Sequence, residues 1–108
     1  MNMISDRKYT EEELIMKTSE FFKALSDFSR LKIIKTLLKN KEQNVSSLCK
    51  DVTMSQTAVS NQLKTLKEVN LVKTRREGKS IYYSIKDEHV EEIMNLTFIH
   101  LEEKHNED

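Results

Sequence analysis

Apolar residues recur along the chain at two spacings, three-to-four and two, and the switches between them mark its elements. Thr10 and Glu13 stand at capping-box spacing, followed by Leu14, Thr18, Phe21, Phe22 and Leu25 on one helical face. Ser26 or Asp27 can cap a second helix that turns Leu31, Ile34, Leu37 and Leu38 inward and Arg30, Lys32 and Lys35 outward. Both helices read as scaffold, and the first also suits a dimer interface. After a polar break over residues 40–44, Val45, Leu48 and Val52 keep helical spacing in a short helix. Thr53 and Met54 then turn into Ser55, an N-cap for the run QTAVSNQLKTLKEV. Two helices joined by so brief a turn predict a helix-turn-helix.

On the second of these helices Val59, Leu63 and Leu66 form the buried stripe. Gln56, Thr57, Ser60, Lys64 and Lys67 fall within about 100° of one another on another side, bordered by Asn61. Glutamine can read an adenine edge, Ser and Thr can bond bases or phosphates, and Lys neutralises phosphate. An ordinary solvated helix face carries the same residue types, so the next segment matters. Residues 71–76 and 80–85 are strand-like runs around Glu77, Gly78 and Lys79, with the only glycine of the chain at the turn. Ile81, Tyr83 and Ile85 alternate with Tyr82 and Ser84, so one side of the hairpin can pack on the helices while Lys73, Arg75, Arg76 and Lys79 make its tip basic. A final helix opens at Asp87, with Val90, Met94, Thr97 and Leu101 facing the chain's own core. Ile93, Leu96 and Ile99 form a second stripe, and Glu91, Asn95 and Glu102 the wet side. The predicted fold is mainly α with a β-hairpin wing. It is a winged helix-turn-helix of order α-α-α-α-β-β-α, a single domain over residues 1–108 that dimerises through its N- and C-terminal helices. Residues 1–9 and 105–108 are expected to be flexible tails.

Composition changes this picture in one respect. The chain carries 18 basic and 18 acidic residues and is neutral overall, yet the charges are segregated. Residues 56–86 hold seven basic side chains against two acidic ones, whereas residues 87–108 hold eight acidic against one basic. The basic part coincides with the helix-turn-helix and wing, which makes double-stranded DNA the expected partner. The lone Cys49 excludes an internal disulfide and a multi-cysteine metal centre and is read as a small core residue rather than a redox or metal group. No apolar run approaches a membrane span and the N-terminus has no signal-peptide pattern, so a cytoplasmic protein with no membrane partner is expected. No Ser/His/Asp or Cys/His arrangement suggests an enzyme.

Two of the three histidines, His89 and His100, lie eleven residues apart on the last helix. Eleven residues turn through about 1,100°, which brings the two within about 20° of one face, but they also rise about 16 Å. A zinc–nitrogen bond is about 2.0–2.1 Å, so one straight helix cannot bring both rings to one ion. In an antiparallel pair of identical helices, residues that meet across the two-fold axis have numbers of constant sum. Pairing Asp87 with Glu103 and His89 with His100 gives sums that differ by one. A dyad near Met94 and Asn95 would join Asp87 and His89 of one copy to His100 and Glu103 of the other, giving two N2O2 sites per dimer. Asp87 must then precede the first turn as an N-cap, since within the helix it would point about 160° away from His89. The plainer alternative is a surface helix with two solvated histidines and ordinary acidic neighbours.

The order of elements and the wording of the sequence resemble the ArsR/SmtB family of metal-responsive winged-helix repressors. The likeness spans nearly the whole chain, through FFKALSDFSRLKIIKTL, MSQTAVSNQLKTLKEVNLVKTRREGKSIYYSI and DEHVEEIMNLTFIHLEE. It is closest to the branch that senses zinc on the C-terminal helix, whose pattern is Asp-x-His, a second His after ten intervening residues, and His or Glu three later. That pattern falls on Asp87, His89, His100 and Glu103. The resemblance implies a homodimer that binds a pseudo-palindromic operator when metal-free and releases it on binding zinc, with cobalt(II) as a mimic. The implied DNA contacts are Ser55, Gln56, Thr57, Ser60, Asn61, Lys64, Lys67, Arg75, Arg76 and Lys79. Asn44 stands where other members start a cysteine-rich site, which sets thiophilic sensing aside, and Asn61 stands where many carry a recognition-helix histidine. Some nickel-responsive relatives recruit a tail histidine, for which His105 is the candidate, although a frayed, solvated tail is the simpler reading of it. A repressor of this fold answering to a non-metal signal is the other alternative.

Overall fold

The computed structural model describes residues 8–105 and, for Lys104 and His105, the backbone alone. Most of the expected tails, residues 1–7 and 106–108, therefore lie outside the described residues. Each helix begins where a short polar side chain can take up an orphan N–H. Helix α1 (Glu11–Leu25) opens with a complete capping box, in which the Glu13 N–H donates to Thr10 Oγ1 at 3.1 Å and the Thr10 N–H to Glu13 Oε1 at 2.8 Å. Asp27, rather than Ser26, caps α2 (Phe28–Asn40) by accepting from the Arg30 N–H at 3.0 Å. Asn44 caps α3 (Val45–Val52), and Ser55 caps α4 (Gln56–Glu68). Thr53 turns the chain between them in the left-handed region, φ +55°, a conformation uncommon for a β-branched residue. Strands β2 (Val72–Glu77) and β3 (Ser80–Ile85) form the predicted hairpin, and α5 (Glu88–His105) closes the chain. Gly78 sits at φ +63°. A Cβ there would meet nothing within 4 Å, so the turn demands glycine for its backbone angle and not for space.

One element escaped the sequence. The polar break over residues 40–44 contains a third strand, β1 (Glu42–Asn44), which pairs antiparallel with β3 and gives the sheet order β1-β3-β2. Three residues are too few for a period-two signal, and the inward one is polar. Gln43 is buried and satisfied, its Nε2 donating to Ser47 Oγ at 2.8 Å and Asp51 Oδ2 at 2.7 Å.

The core is assembled from Ile33, Ile34 and Leu37 of α2, Leu48 and Val52 of α3, and Val59, Leu63 and Leu66 of α4. Leu71, Val72 and Ile85 close it from the hairpin. Three expectations about facing are corrected. Ile33 is fully buried while Leu31 and Leu38 are only half-buried, and Arg30, expected outside, is half-buried with hydrogen-bond partners. On α1 only Ala24 and Leu25 are buried, and Leu14 and Phe22 face outward. On α5, Val90 and Met94 reach the core but Thr97 and Leu101 are exposed. The angular reading of that stripe is sound, but an 18-residue helix is about 27 Å long and overhangs the body. Phe98 is half-buried instead, with Lys35 Nζ 4.3 Å from its ring centroid. Thr97 and Leu101 line an open groove of about 270 Å3 between α1, α2 and α5. No helix among the described residues is long and apolar enough to cross a membrane.

Candidate nucleic-acid interface and metal centre

Helix α4 is anchored by three fully buried residues, and the remainder of its surface is polar. Gln56, Thr57, Ser60, Asn61, Lys64 and Lys67 are all exposed, so the face expected to meet DNA is intact and unobstructed within the chain. Ser55 Oγ accepts the Ala58 N–H at 3.1 Å, which fixes the hydroxyl at the helix N-terminus while leaving its hydrogen to donate. Lys67 Nζ leans toward Thr74 Oγ1 of β2 at 3.5 Å, so the recognition helix and the wing touch on their polar side.

The wing is less uniformly available than its composition suggests. Arg76 and Lys79 are exposed, but the Arg75 guanidinium is engaged. Its Nε and Nη2 form a fork with the Glu42 carboxylate at 3.0 and 2.8 Å, Nη1 bonds Glu77, and the guanidinium lies 4.9 Å from the Tyr82 ring centroid. Arg75 thus reaches from β2 across β3 to β1, tying the whole sheet together. The hydrogen bonds from Arg75 hold the Glu42 carboxyl below its usual range, and the two carboxylates hold the Arg75 guanidinium even more firmly protonated than usual. Sequence reasoning missed this cluster because Glu42 belongs to the strand that it did not find.

At the start of α5, Asp87 caps the helix by accepting the Val90 N–H on Oδ1 at 3.1 Å, the position the histidine geometry required. That hydrogen bond, aided by nearby His89, holds the Asp87 carboxyl below the usual carboxylate range and so in the ionised form that binds cations. His89 Nδ1 lies 3.6 Å from Asp87 Oδ1, and the His89 side chain is 87% exposed. The separation is chemically telling. Two ligand atoms on a tetrahedron with metal–ligand bonds of about 2.0–2.2 Å stand about 3.3–3.6 Å apart. The Asp87–His89 separation is that of an ion pair and falls close to this range, and both side chains are exposed to solvent.

His100 and Glu103 are exposed three turns farther along the same helix. Among the described residues no three His, Cys, Asp or Glu side chains of one chain converge to hold a metal. The structure brings together Asp87 with His89 and leaves His100 and Glu103 at the other end. His105 is the last residue of α5, and its side chain lies outside the described residues. Between the two ends, Ile93, Leu96 and Ile99 are exposed, Leu96 by 65% and Ile99 by 52%. Cys49 is half-buried and packed against the core, as expected of a small apolar residue.

The chain is similar to known proteins over most of its length. Residues 27–74 match the sequence pattern of the family described as "Bacterial regulatory protein, arsR family". The chain is 38% identical over 88 residues to a cadmium resistance transcriptional regulatory protein, a CadC homolog of Staphylococcus aureus, covering 82% of this chain and 73% of that protein. It is 41% identical over 85 residues to a transcriptional repressor, an SmtB homolog of Synechocystis, covering 79% of this chain and 64% of the relative. Its backbone superposes with a TM-score of 0.84 on a homodimeric winged helix-turn-helix DNA-binding domain from Mycobacterium bovis, described as a possible ArsR-family transcriptional regulator. That pair shares 28% identity, with 94% of each chain covered.

Proposed function

Because the chain belongs to the ArsR family of bacterial transcriptional regulators, a DNA-binding and not an enzymatic family, we propose that it is a homodimeric, zinc-responsive repressor whose metal sites form only between two chains. One observation carries this reading: Asp87 and His89 are spaced as neighbouring corners of a tetrahedron, while His100 and Glu103 lie at the far end of the same exposed helix face. An antiparallel partner helix, centred near Met94 and Asn95, completes both halves at once. The apolar residues between the ends, Ile93, Leu96 and Ile99, supply a surface that such a partner would bury. The open groove beside them, lined by Phe22 and Leu101, extends that surface to α1.

Two imidazoles and two carboxylates suit zinc, which when bound supplies a closed tetrahedral cross-link, and cobalt(II) would serve as its spectroscopic mimic. The rest is done by the protein. In the apo dimer the two copies of α4 enter successive major grooves about 34–36 Å apart. Gln56, Thr57, Ser60 and Asn61 face base edges, and Ser55, Lys64, Lys67, Arg76 and Lys79 neutralise or bond phosphates. Arg75 serves this interface by holding the wing against Glu42 and Glu77, its guanidinium already being shared between them. With all four ligands engaged, the two α5 helices are held in one relative position, which favours a dimer with its recognition helices mis-set for the operator. By linkage, DNA weakens metal binding by the same free energy. The relatives named for cadmium resistance and for repression fit this scheme.

Operator binding measured with and without zinc tests the switch, and undiminished affinity in zinc would sink it. Metal stoichiometry and the cobalt(II) spectrum test the site. Two tetrahedral ions per dimer are expected, and an octahedral signature would bring in His105 and favour nickel or cobalt as the signal.

A further inference from the structure

In this scheme α1 and α5 belong to the dimer face and α4 to DNA, and one side chain is bonded on both sides. Arg30, in the first turn of α2, donates from Nε to the Ala24 carbonyl at 2.9 Å and from Nη1 to Gln62 Oε1 at 3.2 Å. The Ala24 carbonyl is among the last four of α1, which have no partner within the helix. Gln62 lies on α4, about 140–160° around the helix from Thr57, Ser60, Lys64 and Lys67, so it does not share the DNA-directed face. Arginine suits such a joint because its donors form a planar, rigid fork, whereas a lysine would be a single flexible point of attachment.

The α1 end of this joint also feels α5. Leu25, next to Ala24, lines the groove between α1, α2 and α5 with Ile93, Met94, Thr97, Phe98 and Leu101. Leu25 thus places the last turn of α1, and with it the Ala24 carbonyl, beside α5. We propose that Arg30 is a positioning residue that transmits the seating of α1 against α5 to the recognition helix through Gln62, setting the angle at which α4 meets the operator. The trigger in this proposal rests on the metal-switch reading above. The joint itself rests on the two hydrogen bonds and the groove.

The test measures operator affinity of the whole dimeric chain by fluorescence anisotropy, apo and zinc-loaded, over a range of salt. It compares wild type with Gln62→Met, Arg30→Lys and the double variant. Gln62→Met keeps the side chain's length and removes the amide, including the oxygen that accepts from Arg30, so it probes the joint even if changes at Arg30 impair folding. Both single variants should reduce the ratio of apo to zinc-loaded affinity about fivefold or more. The double variant should be no worse than Arg30→Lys alone, because that substitution already breaks the contact with Gln62. The salt slope should stay at its wild-type value, since neither side chain faces phosphate. A wild-type ratio in Gln62→Met, or a flattened salt slope, overturns the proposal. If wild type itself ignores zinc, the metal reading fails separately, and apo affinity then decides the joint. A several-fold loss in Gln62→Met upholds it, and an unchanged affinity overturns it.

Discussion

Helices α4 and α5 are both amphipathic and both carry candidate chemistry, but they stand in opposite relations to their own chain. Helix α4 satisfies its apolar side completely, with Val59, Leu63 and Leu66 at zero exposure, and offers a wholly polar face. Helix α5 satisfies only part of its apolar surface, through Val90, Met94 and half-buried Phe98, and leaves Ile93, Leu96, Ile99 and Leu101 exposed. The ligand candidates follow the same division. The side chains of α4 can act where they stand, whereas the four on α5 are split into two ends about 16 Å apart along the helix. On the proposed reading, the finished face meets DNA and the unfinished one meets a second copy.

Five substitutions or conditions would break or sharpen that contrast. The largest effect is expected from Leu96→Asp. Burying a leucine contributes about 1.5–3 kcal/mol, and a two-fold interface counts it twice. Sedimentation equilibrium should therefore show monomers that keep wild-type helical circular dichroism; an intact dimer would mean that α5 is not at the interface. Leu63→Ala acts on the finished face and should lower the chain's own stability by about 2–5 kcal/mol in denaturant titration, through the cavity that it leaves. A loss well under that range would show that α4 is not packed as described. His100→Ala should abolish zinc-dependent release, a coupling of order 1–3 kcal/mol in systems of this kind, while apo operator affinity stays near wild type. Loss of both would make His100 structural. Lys64→Ala should weaken operator binding and reduce the salt slope by about 1, and an unchanged slope would remove Lys64 from the phosphate contacts.

The smallest effect concerns pH. The Asp87 carboxyl is held low in the folded chain, chiefly by the Val90 N–H, so its contribution to α5 is present above the ordinary carboxylate value of about 3.9. It is lost as pH falls through the lower folded value. Protection of the Val90 amide, taken relative to its intrinsic exchange rate, should therefore fall under strongly acidic conditions in wild type, and Asp87→Asn should lessen that pH dependence. The same sign applies to Glu42 and its bond from Arg75.

Much of this was legible in one dimension. Capping residues, the α4 stripe, the hairpin around Gly78 and the Asp87 cap are local, set by side chains within a few residues of one another. The resemblance to ArsR/SmtB proteins likewise rested on contiguous words in the sequence. What stayed hidden depends on residues far apart in the chain. Strand β1 exists because β3 offers it an edge far along the chain, with Glu42 opposite Ser84. Arg75 is engaged because that edge brings Glu42 within 2.8 Å. Arg30 turned from an outward charge into a joint because α1 ends and α4 runs beside it. Thr97 and Leu101 lost their predicted burial because periodicity gives the angle of a stripe but not where the core beneath it stops. The sequence alone thus determined the five helices, the hairpin and the residues that cap them, and it named the candidate ligands at the two ends of α5. Only the tertiary structure decided which charges are committed and which apolar face is left over, because both depend on what folding brings alongside.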